Sequence, residues 1–355
     1  MPDQPVDQPR RTPGGIVVGV DGSEQSLRAA HWAAAQAHRR GLRLTVVSAY
    51  SIPAFAASSM DGGYAMMDDA SLRAGAEKVI EQAEQFLRDY PGEVDYRIES
   101  GDPAAVLLEH SETADLLVVG SRGRGGFLGR LLGSVSSALP AHAQCPTVLV
   151  PLRFSSKNEN ALTTATGAIP IVSAEPQDVP GAAASSSLIE EGAHPIRTRD
   201  KRPVVAGVDG SDYGRVAALT AAREAHERGV TLRLVCALPP LGATLVWIPT
   251  HIEDTEAVEE LSEKLEAGKA WLNSHFPQVA IETEVIDGSA VDVLVEETRS
   301  AQLTVLGTRG RGGFAGMLLG STSQGVLHHA EGPLMVVPEK TDERIEDRAE
   351  FGPVL

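Results

Sequence analysis

Short apolar runs alternate with longer amphipathic stretches along most of the chain. Runs rich in Val, Ile and Leu predict strands, because buried parallel strands are apolar on both faces. In the first half the pattern predicts five strands, at residues 16–20, 42–49, 94–99, 115–119 and 147–150. Apolar residues at helical spacing predict four helices between them, at residues 23–40, 71–89, 103–113 and 134–143. This alternation is typical of a doubly wound α/β fold with a parallel sheet.

The second half of the chain repeats the pattern of the first. The stretch IVVGVDGSEQSLRAAHWAAAQAHRRGLRLTVVSAY begins at Ile16, and its counterpart VVAGVDGSDYGRVAALTAAREAHERGVTLRLVCAL begins at Val204. Each repeat is long enough to close its own core, unlike the short units of a solenoid. We therefore predict two doubly wound, parallel, five-stranded sheets of Rossmann-like type in tandem.

Composition divides the remainder of the chain. We predict a disordered leader at residues 1–13, a first domain at 14–153, a flexible connection at 154–201, a second domain at 202–339 and an acidic tail at 340–355. The connection is rich in Ala, Ser, Pro and Glu, a composition that buries too little apolar surface to fold alone. We expect the acidic tail to be loose as well.

Charge and cysteine content limit the function classes. The chain has 355 residues and a formal net charge of −17, which disfavours nucleic acids and anionic membranes as partners. No apolar run approaches the roughly 18 residues of a membrane span, and the N-terminus lacks the apolar core of a signal peptide. The two cysteines, Cys145 and Cys236, occupy unrelated positions and predict neither a disulfide framework nor a metal site. These features favour a cytoplasmic protein that binds small ligands or protein partners.

A glycine-rich segment follows the fourth predicted strand of each unit. It reads GSRGRGGFLGRLLGS at residues 120–134 and GTRGRGGFAGMLLGS at residues 307–321. Ligands of open parallel sheets bind beyond the carboxyl ends of the strands, where Asp21 and Asp209 also lie. Glycines permit positive φ and close approach of backbone N–H groups to an anion, and a Gly-Ser pair opens a helix whose first N–H groups lack partners. The serine hydroxyls would add donors, so each unit is predicted to bind a polyphosphate.

The spacing G-x2-G-x9-G-[S/T], together with VGVDGS at the first strand, resembles the universal stress protein family in its ATP-binding branch and tandem form. The resemblance covers both units. It implies that the two aspartates hold the adenosine end of ATP, that the glycine-serine segments hold the phosphates, and that any Mg²⁺ is held by those phosphates. The implied ATP-binding residues are Asp21, Gly120, Gly123, Gly133, Ser134, Val135 and Ser136 in the first unit, and Asp209, Gly307, Gly310, Gly320, Ser321, Thr322 and Ser323 in the second.

Two departures from the family pattern bear on the site. Where ATP-binding relatives often carry a His-Val pair at the end of the second strand, this chain has Ser48-Ala49 and Cys236-Ala237, small residues that can line an adenine slot. Pro140 falls inside the fourth predicted helix, where it removes a backbone donor and conflicts with a preceding carbonyl group. If either site is altered, we expect it to be the first.

The resemblance implies a nucleotide-dependent stress-response regulator rather than a fast enzyme. The sequence has no G-x4-G-K-[S/T] lysine and no motif that places a base beside an attacking water. Two alternatives use the same fold: a nucleotide-free protein-interaction module, and a slow ATPase or self-phosphorylating protein.

Each candidate residue also has a purely structural interpretation. The glycine segments could be tight strand-to-helix connections without a ligand, and the two aspartates could cap a helix or form an Asx turn. The loop arginines could neutralise phosphate or simply be solvated. They are Arg122, Arg124, Arg309 and Arg311.

The last predicted strand of each unit is short and strongly apolar. The runs are CPTVLVPL at residues 145–152 and GPLMVVPE at residues 332–339. An unprotected strand of this kind favours pairing with another strand, and the resemblance implies a partner edge here. Because the units are tethered, we predict that they pair within one chain, with any homodimer built from whole chains.

Overall fold

The computed structural model describes residues 14–51, 69–123, 132–151, 200–239, 254–310, 318–340 and 342–354. The predicted leader and nearly all of the predicted connection lie outside these residues. The described parts form two α/β units, here called unit 1 and unit 2.

Unit 1 alternates strands and helices in the predicted order. Its strands are β1 (Ile16–Gly19), β2 (Leu44–Tyr50), β3 (Val94–Ser100), β4 (Leu116–Gly120) and β5 (Thr147–Val150). Its helices are α1 (Glu24–Arg40), α2 (Asp69–Phe86), α3 (Pro103–Ser111) and α4 (Ser134–His142). All these ends fall within a few residues of the bounds expected from the hydrophobic pattern.

Unit 2 repeats this order. Its strands are β6 (Val204–Gly207), β7 (Leu232–Leu238), β8 (Ile281–Asp287), β9 (Leu303–Gly307) and β10 (Leu334–Val337). Its helices are α5 (Asp212–Arg228), α6 (Asp254–His275), α7 (Ala290–Ser300) and α8 (Ser321–His329). Across the described ranges, none of the helices combines the length and apolarity needed to cross a membrane.

The first helix of each unit begins and ends with the same local signals. The Ser23 and Ser211 side chains each accept a hydrogen bond from a backbone N–H in the first turn of the helix. Gly41 and Gly229 end the helices in the left-handed conformation, with φ of 62° and 64°, which glycine adopts without steric cost. The duplicated sequence thus encodes duplicated helix bounds.

The ten strands form one sheet in the order β3-β2-β1-β4-β5-β10-β9-β6-β7-β8. Neighbouring strands within each unit are parallel, as the fold class predicted. At the junction β5 and β10 are antiparallel, with Leu149 opposite Leu334 and Val148 opposite Met335. The predicted pairing of the units is therefore confirmed. The two expected sheets are halves of one continuous sheet, because each apolar last strand covers the edge of the other.

Helices cover both faces of this sheet. Val18 belongs to an apolar cluster that includes residues of α1, α2, α5 and α6, whereas its neighbour Val17 belongs to a cluster with residues of α3, α4, α7 and α8. Alternate residues of β1 thus serve opposite faces, as strand geometry requires. Both clusters continue through β5 and β10, so the core crosses the junction.

The C-terminal segment differs from the loose tail expected from its acidic composition. Glu343–Phe351 form a 3-10 helix that packs on α6. The indole Nε1–H of Trp271 donates to the carbonyl oxygen of Arg344 at 2.9 Å and to Oδ1 of Asp347 at 2.7 Å. Arg348 is only 5% exposed, and it donates to backbone carbonyl groups. One indole and one buried arginine thus fix a segment whose average composition predicts disorder.

Trp271→Phe should loosen this segment, because phenylalanine keeps an aromatic ring but cannot donate to the two acceptors. Each lost hydrogen bond is worth about 1 kcal/mol. We expect trypsin to cleave after Arg348 faster than in the unaltered chain, as followed by mass spectrometry. Cleavage after Arg73, whose side chain is 63% exposed, serves as the internal control. An unchanged ratio of the two cleavage rates would contradict the anchoring role.

Candidate functional site

The two predicted site segments of each unit meet at the carboxyl end of the strands. β1 pairs with β4 and β6 pairs with β9, which brings the residues after these strands together. A Cβ placed on Gly123 would lie 2.3 Å from Oδ2 of Asp21, and a Cβ on Gly310 would lie 2.3 Å from Oδ2 of Asp209. Each aspartate therefore lies against the glycine segment, and a larger residue at the contact would require the carboxylate to move.

Each aspartate also shapes the turn that it begins. Oδ1 of Asp21 accepts hydrogen bonds from the backbone N–H of Ser23 at 3.0 Å and from its hydroxyl group at 2.6 Å. Asp209 makes the same pair of bonds with Ser211. The Asx-turn interpretation is thus correct for one carboxylate oxygen, while the other faces the glycine segment. The cap of the following helix is the serine, not the aspartate.

The first glycine of each segment serves packing. A Cβ on Gly120 would lie 3.0 Å from Cγ of Gln25, and a Cβ on Gly307 would lie 2.8 Å from the carbonyl oxygen of Tyr213. These glycines let α1 and α5 approach the sheet closely. No described glycine of the two segments has a left-handed φ, so their role there is the missing Cβ rather than the backbone conformation we expected. Gly125, Gly126 and Gly129 lie outside the described residues.

The last glycine of each segment opens a helix at the site. Gly133 and Gly320 are the N-caps of α4 and α8, and neither helix has a side-chain cap. The N–H of Gly133 donates to the carbonyl of Ser121 at 3.1 Å, and that of Gly320 donates to Thr308 at 2.7 Å. These bonds hold the helix N-termini beside the ends of β4 and β9. The positive end of each helix dipole therefore lies at the site.

The serine residues of the helix starts have different environments. The hydroxyl groups of Ser136 and Ser323 donate to the carbonyl oxygens of Gly120 and Gly307, each at 2.7 Å, so their single protons tie helix to strand. Ser134 and Ser321 are exposed at the first helical position, whereas Val135 and Thr322 are half-buried. Ser134 and Ser321 are therefore better placed to donate to a ligand than Ser136 and Ser323, whose protons are already used.

Unit 2 contains a cavity of about 330 Å³ at this place. Its walls include all seven site residues predicted for the unit: Asp209, Gly307, Gly310, Gly320, Ser321, Thr322 and Ser323. The volume falls within the range of small-molecule sites. The seven predicted residues therefore lie together on one wall of this cavity.

The other wall is apolar. It includes Val235 and Ala237 of β7, Leu294 of α7 and Leu306 of β9. Ala237 belongs to the pair singled out from the sequence, whereas Cys236 is buried in the cluster on the opposite face. Sequence reasoning missed the valine and the leucines, because an apolar residue that lines a cavity has the same pattern as a core residue.

Pro140 does not alter the start of α4. α4 and α8 begin at equivalent positions, and each spans nine residues. Pro140 is followed by only two further helical residues, so its effect is confined to the C-terminal end of α4. The N-terminus of α4 at Gly133 therefore matches that of α8 at Gly320.

Comparison with known proteins places this geometry in a family. A model of the universal stress protein family matches residues 14–151 and 201–338. The chain belongs to this family. A universal stress protein of Mycobacterium tuberculosis strain H37Rv is 33% identical over 338 residues, which cover 92% of this chain and 96% of the relative. One from Mycobacterium bovis is 32% identical over 328 residues, with coverage of 91% and 96%.

A solved universal stress protein has the same fold over nearly the whole chain. The crystal structure of one from Archaeoglobus fulgidus covers 93% of this chain and 97% of its own, with a TM-score of 0.60 and 17% identity. The mycobacterial relatives align with this chain over almost their full length, so they share its tandem arrangement.

Proposed function

We propose that each unit of this universal stress protein binds ATP or a closely related adenine nucleotide, and that the protein is a nucleotide-dependent regulator of a stress response. The unit 2 cavity carries the proposal. It combines a carboxylate, a glycine segment, an uncapped helix N-terminus and an apolar wall within about 330 Å³.

The glycine segment and α8 suit the phosphates. The first N–H groups of a helix have no acceptor inside the helix, and the helix dipole makes this end positive. Gly320 adds no side chain that would cap these groups or fill the space before them. Phosphate oxygens are suitable acceptors at such a position, and any Mg²⁺ would be held by the phosphates.

The opposite wall suits the adenosine. Ala237, Val235 and Leu294 offer an apolar surface to the flat base, and the small alanine leaves room for it. Asp209 lies between this wall and the glycine segment, where its carboxylate can accept hydrogen bonds from ribose hydroxyl groups.

Unit 1 has the same framework. Oδ2 of Asp21 lies against Gly123, as that of Asp209 lies against Gly310. The hydroxyl group of Ser136 donates to the carbonyl oxygen of Gly120, as that of Ser323 does to Gly307. The proposal therefore covers both units.

Leucine at Gly133 and at Gly320 should block the phosphate end of each site. A Cβ on Gly133 would have its nearest neighbour at 3.5 Å, an ordinary contact, whereas a Cβ on Gly320 would lie 3.3 Å from Cα of Arg309, which must shift slightly. At both positions the rest of the leucine side chain is expected to extend into the site. We expect titration calorimetry with ATP to show two sites in the unaltered chain, one in each single variant and none in the double variant.

Gly75→Leu is the matched control. Gly75 is an exposed residue of α2, and an added Cβ meets no atom within 4 Å. It should bind ATP as the unaltered chain does, and circular dichroism should show that all variants fold. Full ATP binding by the folded double variant would contradict the site assignment. Mass spectrometry of small molecules released from the pure protein tests for retained nucleotide, and binding of none of the adenine nucleotides would favour the interaction-module alternative.

A further inference from the structure

Arg309 lies at the proposed phosphate end of the unit 2 cavity. It follows β9 and lines the cavity. A Cβ on Gly320 would lie 3.3 Å from Cα of Arg309, so the arginine starts at the N-terminal end of α8. Its permanent positive charge thus adds to the positive end of a helix dipole.

The Arg309 guanidinium is held by Tyr213, which is itself held by Glu339. Its Nη1 donates to the hydroxyl oxygen of Tyr213 at 3.0 Å, and its Cζ lies 5.5 Å from the centre of the Tyr213 ring, within cation–π range. The Tyr213 hydroxyl in turn donates to Oε2 of Glu339 at 2.9 Å. Stacking and hydrogen bonding restrict the rotamers of a long side chain before any ligand arrives, which lowers the entropy lost on binding.

The guanidinium nevertheless has unused bonding capacity. Nε of Arg309 is buried and has no hydrogen-bond partner among the residues that the structure describes. The acceptor for Nη1 is the Tyr213 hydroxyl rather than a carboxylate, so that bond does not neutralise the charge. A held cation that lines the cavity and is not neutralised by its bond to Tyr213 is suited to pair with a phosphate oxygen.

Unit 1 differs at the position equivalent to Tyr213. Gln25 stands there, and its Nε2 donates to Oγ of Ser121 at 2.7 Å and to the carbonyl oxygen of Val150 at 3.3 Å. An amide directed to the ends of β4 and β5 offers no ring on which Arg122, the counterpart of Arg309, could stack. The two units thus share the glycine framework but differ beside it.

We infer that Arg309 pairs with the phosphates of the nucleotide bound in unit 2, and that Tyr213 and Glu339 are its positioning residues. The inference rests on the proposed nucleotide binding. It makes unit 2 the site that distinguishes ATP from adenosine more strongly, because a charged contact favours only the phosphorylated ligand.

The test measures ATP and adenosine binding by titration calorimetry in full-length chains. All of them carry Gly133→Leu, which blocks the site of unit 1, so that only binding at unit 2 is measured. Arg309→Gln should weaken ATP binding about 10- to 100-fold, the range expected for a hydrogen bond to a charged group. Adenosine binding should change by less than about twofold, because adenosine has no phosphate. Arg309→Lys keeps the charge without the planar stack and should fall between these values for ATP.

Tyr213→Phe tests the positioning role. It keeps the ring but removes the hydroxyl group, and ATP binding should weaken about 3- to 10-fold, the range of a neutral hydrogen bond. In the Arg309→Gln background the same change should have no further effect on ATP, since no guanidinium remains to be held. The matched control is Arg122→Gln in a chain that carries Gly320→Leu, where the ATP loss should be clearly smaller.

The outcomes separate the two proposals. Equal losses for ATP and adenosine, no loss in Arg309→Gln, or an equal loss in Arg122→Gln would each overturn the inference while nucleotide binding stands. If the unaltered chain binds neither ligand, the proposed function itself fails. Melting curves identify any variant with a folding defect, and the conservative Tyr213→Phe then provides the decisive comparison.

Discussion

Glu224→Gln should lower the free energy of unfolding by about 3 to 5 kcal/mol, the cost of breaking a buried ion pair. Glu224 is 2% exposed, at the contact between α1 and α5 across the junction of the units. It pairs with Arg40 of unit 1 and with Arg228 of its own helix. Without this charge, Arg228, whose side chain is 4% exposed, loses its carboxylate partner, and Arg40 keeps only its pair with the partly exposed Glu227. Urea denaturation at neutral pH measures the effect.

Two further variants give this experiment its controls. Glu227 also pairs with Arg40, at 2.7 Å, but its side chain is 27% exposed, so Glu227→Gln should cost about 1 kcal/mol or less. Gln36 is the equivalent of Glu224 in unit 1, is 2% exposed and accepts a hydrogen bond from Arg228 at 2.8 Å. Adding Gln36→Glu to Glu224→Gln returns the negative charge to the cluster and should recover much of the lost stability. No recovery would contradict the explanation.

The stability of the unaltered chain and that of Glu224→Gln should depend differently on pH. Burial alone would raise the pKa of Glu224, but the charges of Arg228 and Arg40 and their hydrogen bonds outweigh it and lower the pKa below the usual value of 4.5. A lowered folded-state pKa contributes stability that is present above the unfolded-state pKa and is lost as the pH falls through the folded-state value. The stability difference between the unaltered chain and Glu224→Gln should therefore be constant near neutral pH and shrink below about pH 4.5.

Gly310→Ala and Asp209→Ala should each weaken nucleotide binding at unit 2 by about 10- to 100-fold, and the double variant should bind no more weakly than Asp209→Ala alone. An alanine Cβ at position 310 would lie 2.3 Å from Oδ2 of Asp209, so the carboxylate must move. Once that carboxylate is removed, the added methyl group has room. Titration of ATP into chains that also carry Gly133→Leu measures binding at unit 2 alone.

Adenosine distinguishes the roles of this aspartate. If the Asp209 carboxylate holds the ribose, both ligands should lose affinity, because adenosine and ATP share that group. If the variants bind adenosine normally but melt at a lower temperature, the aspartate serves only its turn with Ser211. Multiplicative losses in the double variant would show that the carboxylate and the glycine act independently.

The hydrophobic pattern was sufficient for the order of the elements, because parallel strands and their covering helices differ in length and periodicity. The junction was also predictable, since an apolar strand at the end of each unit needs a covered edge. The charged contact beside it was not. Glu224 and Gln36 lie on helices whose polar residues resemble any solvated face, and only the packing of α1 on α5 shows that they are buried.

Part of the candidate site was predictable, because residues that follow neighbouring parallel strands lie close together. Asp209 and Gly310 follow neighbouring strands, so their proximity follows from topology. The division of labour among the glycines was not predictable, because Gly307 contacts a backbone that only the folded α5 supplies. The support of Arg309 by Tyr213 likewise joins side chains distant in sequence.

The antiparallel junction of β5 and β10 sets the directions in which the two sites open. The strands of unit 1 and unit 2 run in opposite directions across the shared sheet, so their carboxyl ends, and the sites beyond them, lie at opposite margins of the molecule. A flat protein surface that touches one site therefore cannot touch the other. A partner that responds to the occupancy of both sites would have to span the sheet or bind as two copies. Conversely, two different partners could each bind at one unit without contacting the other.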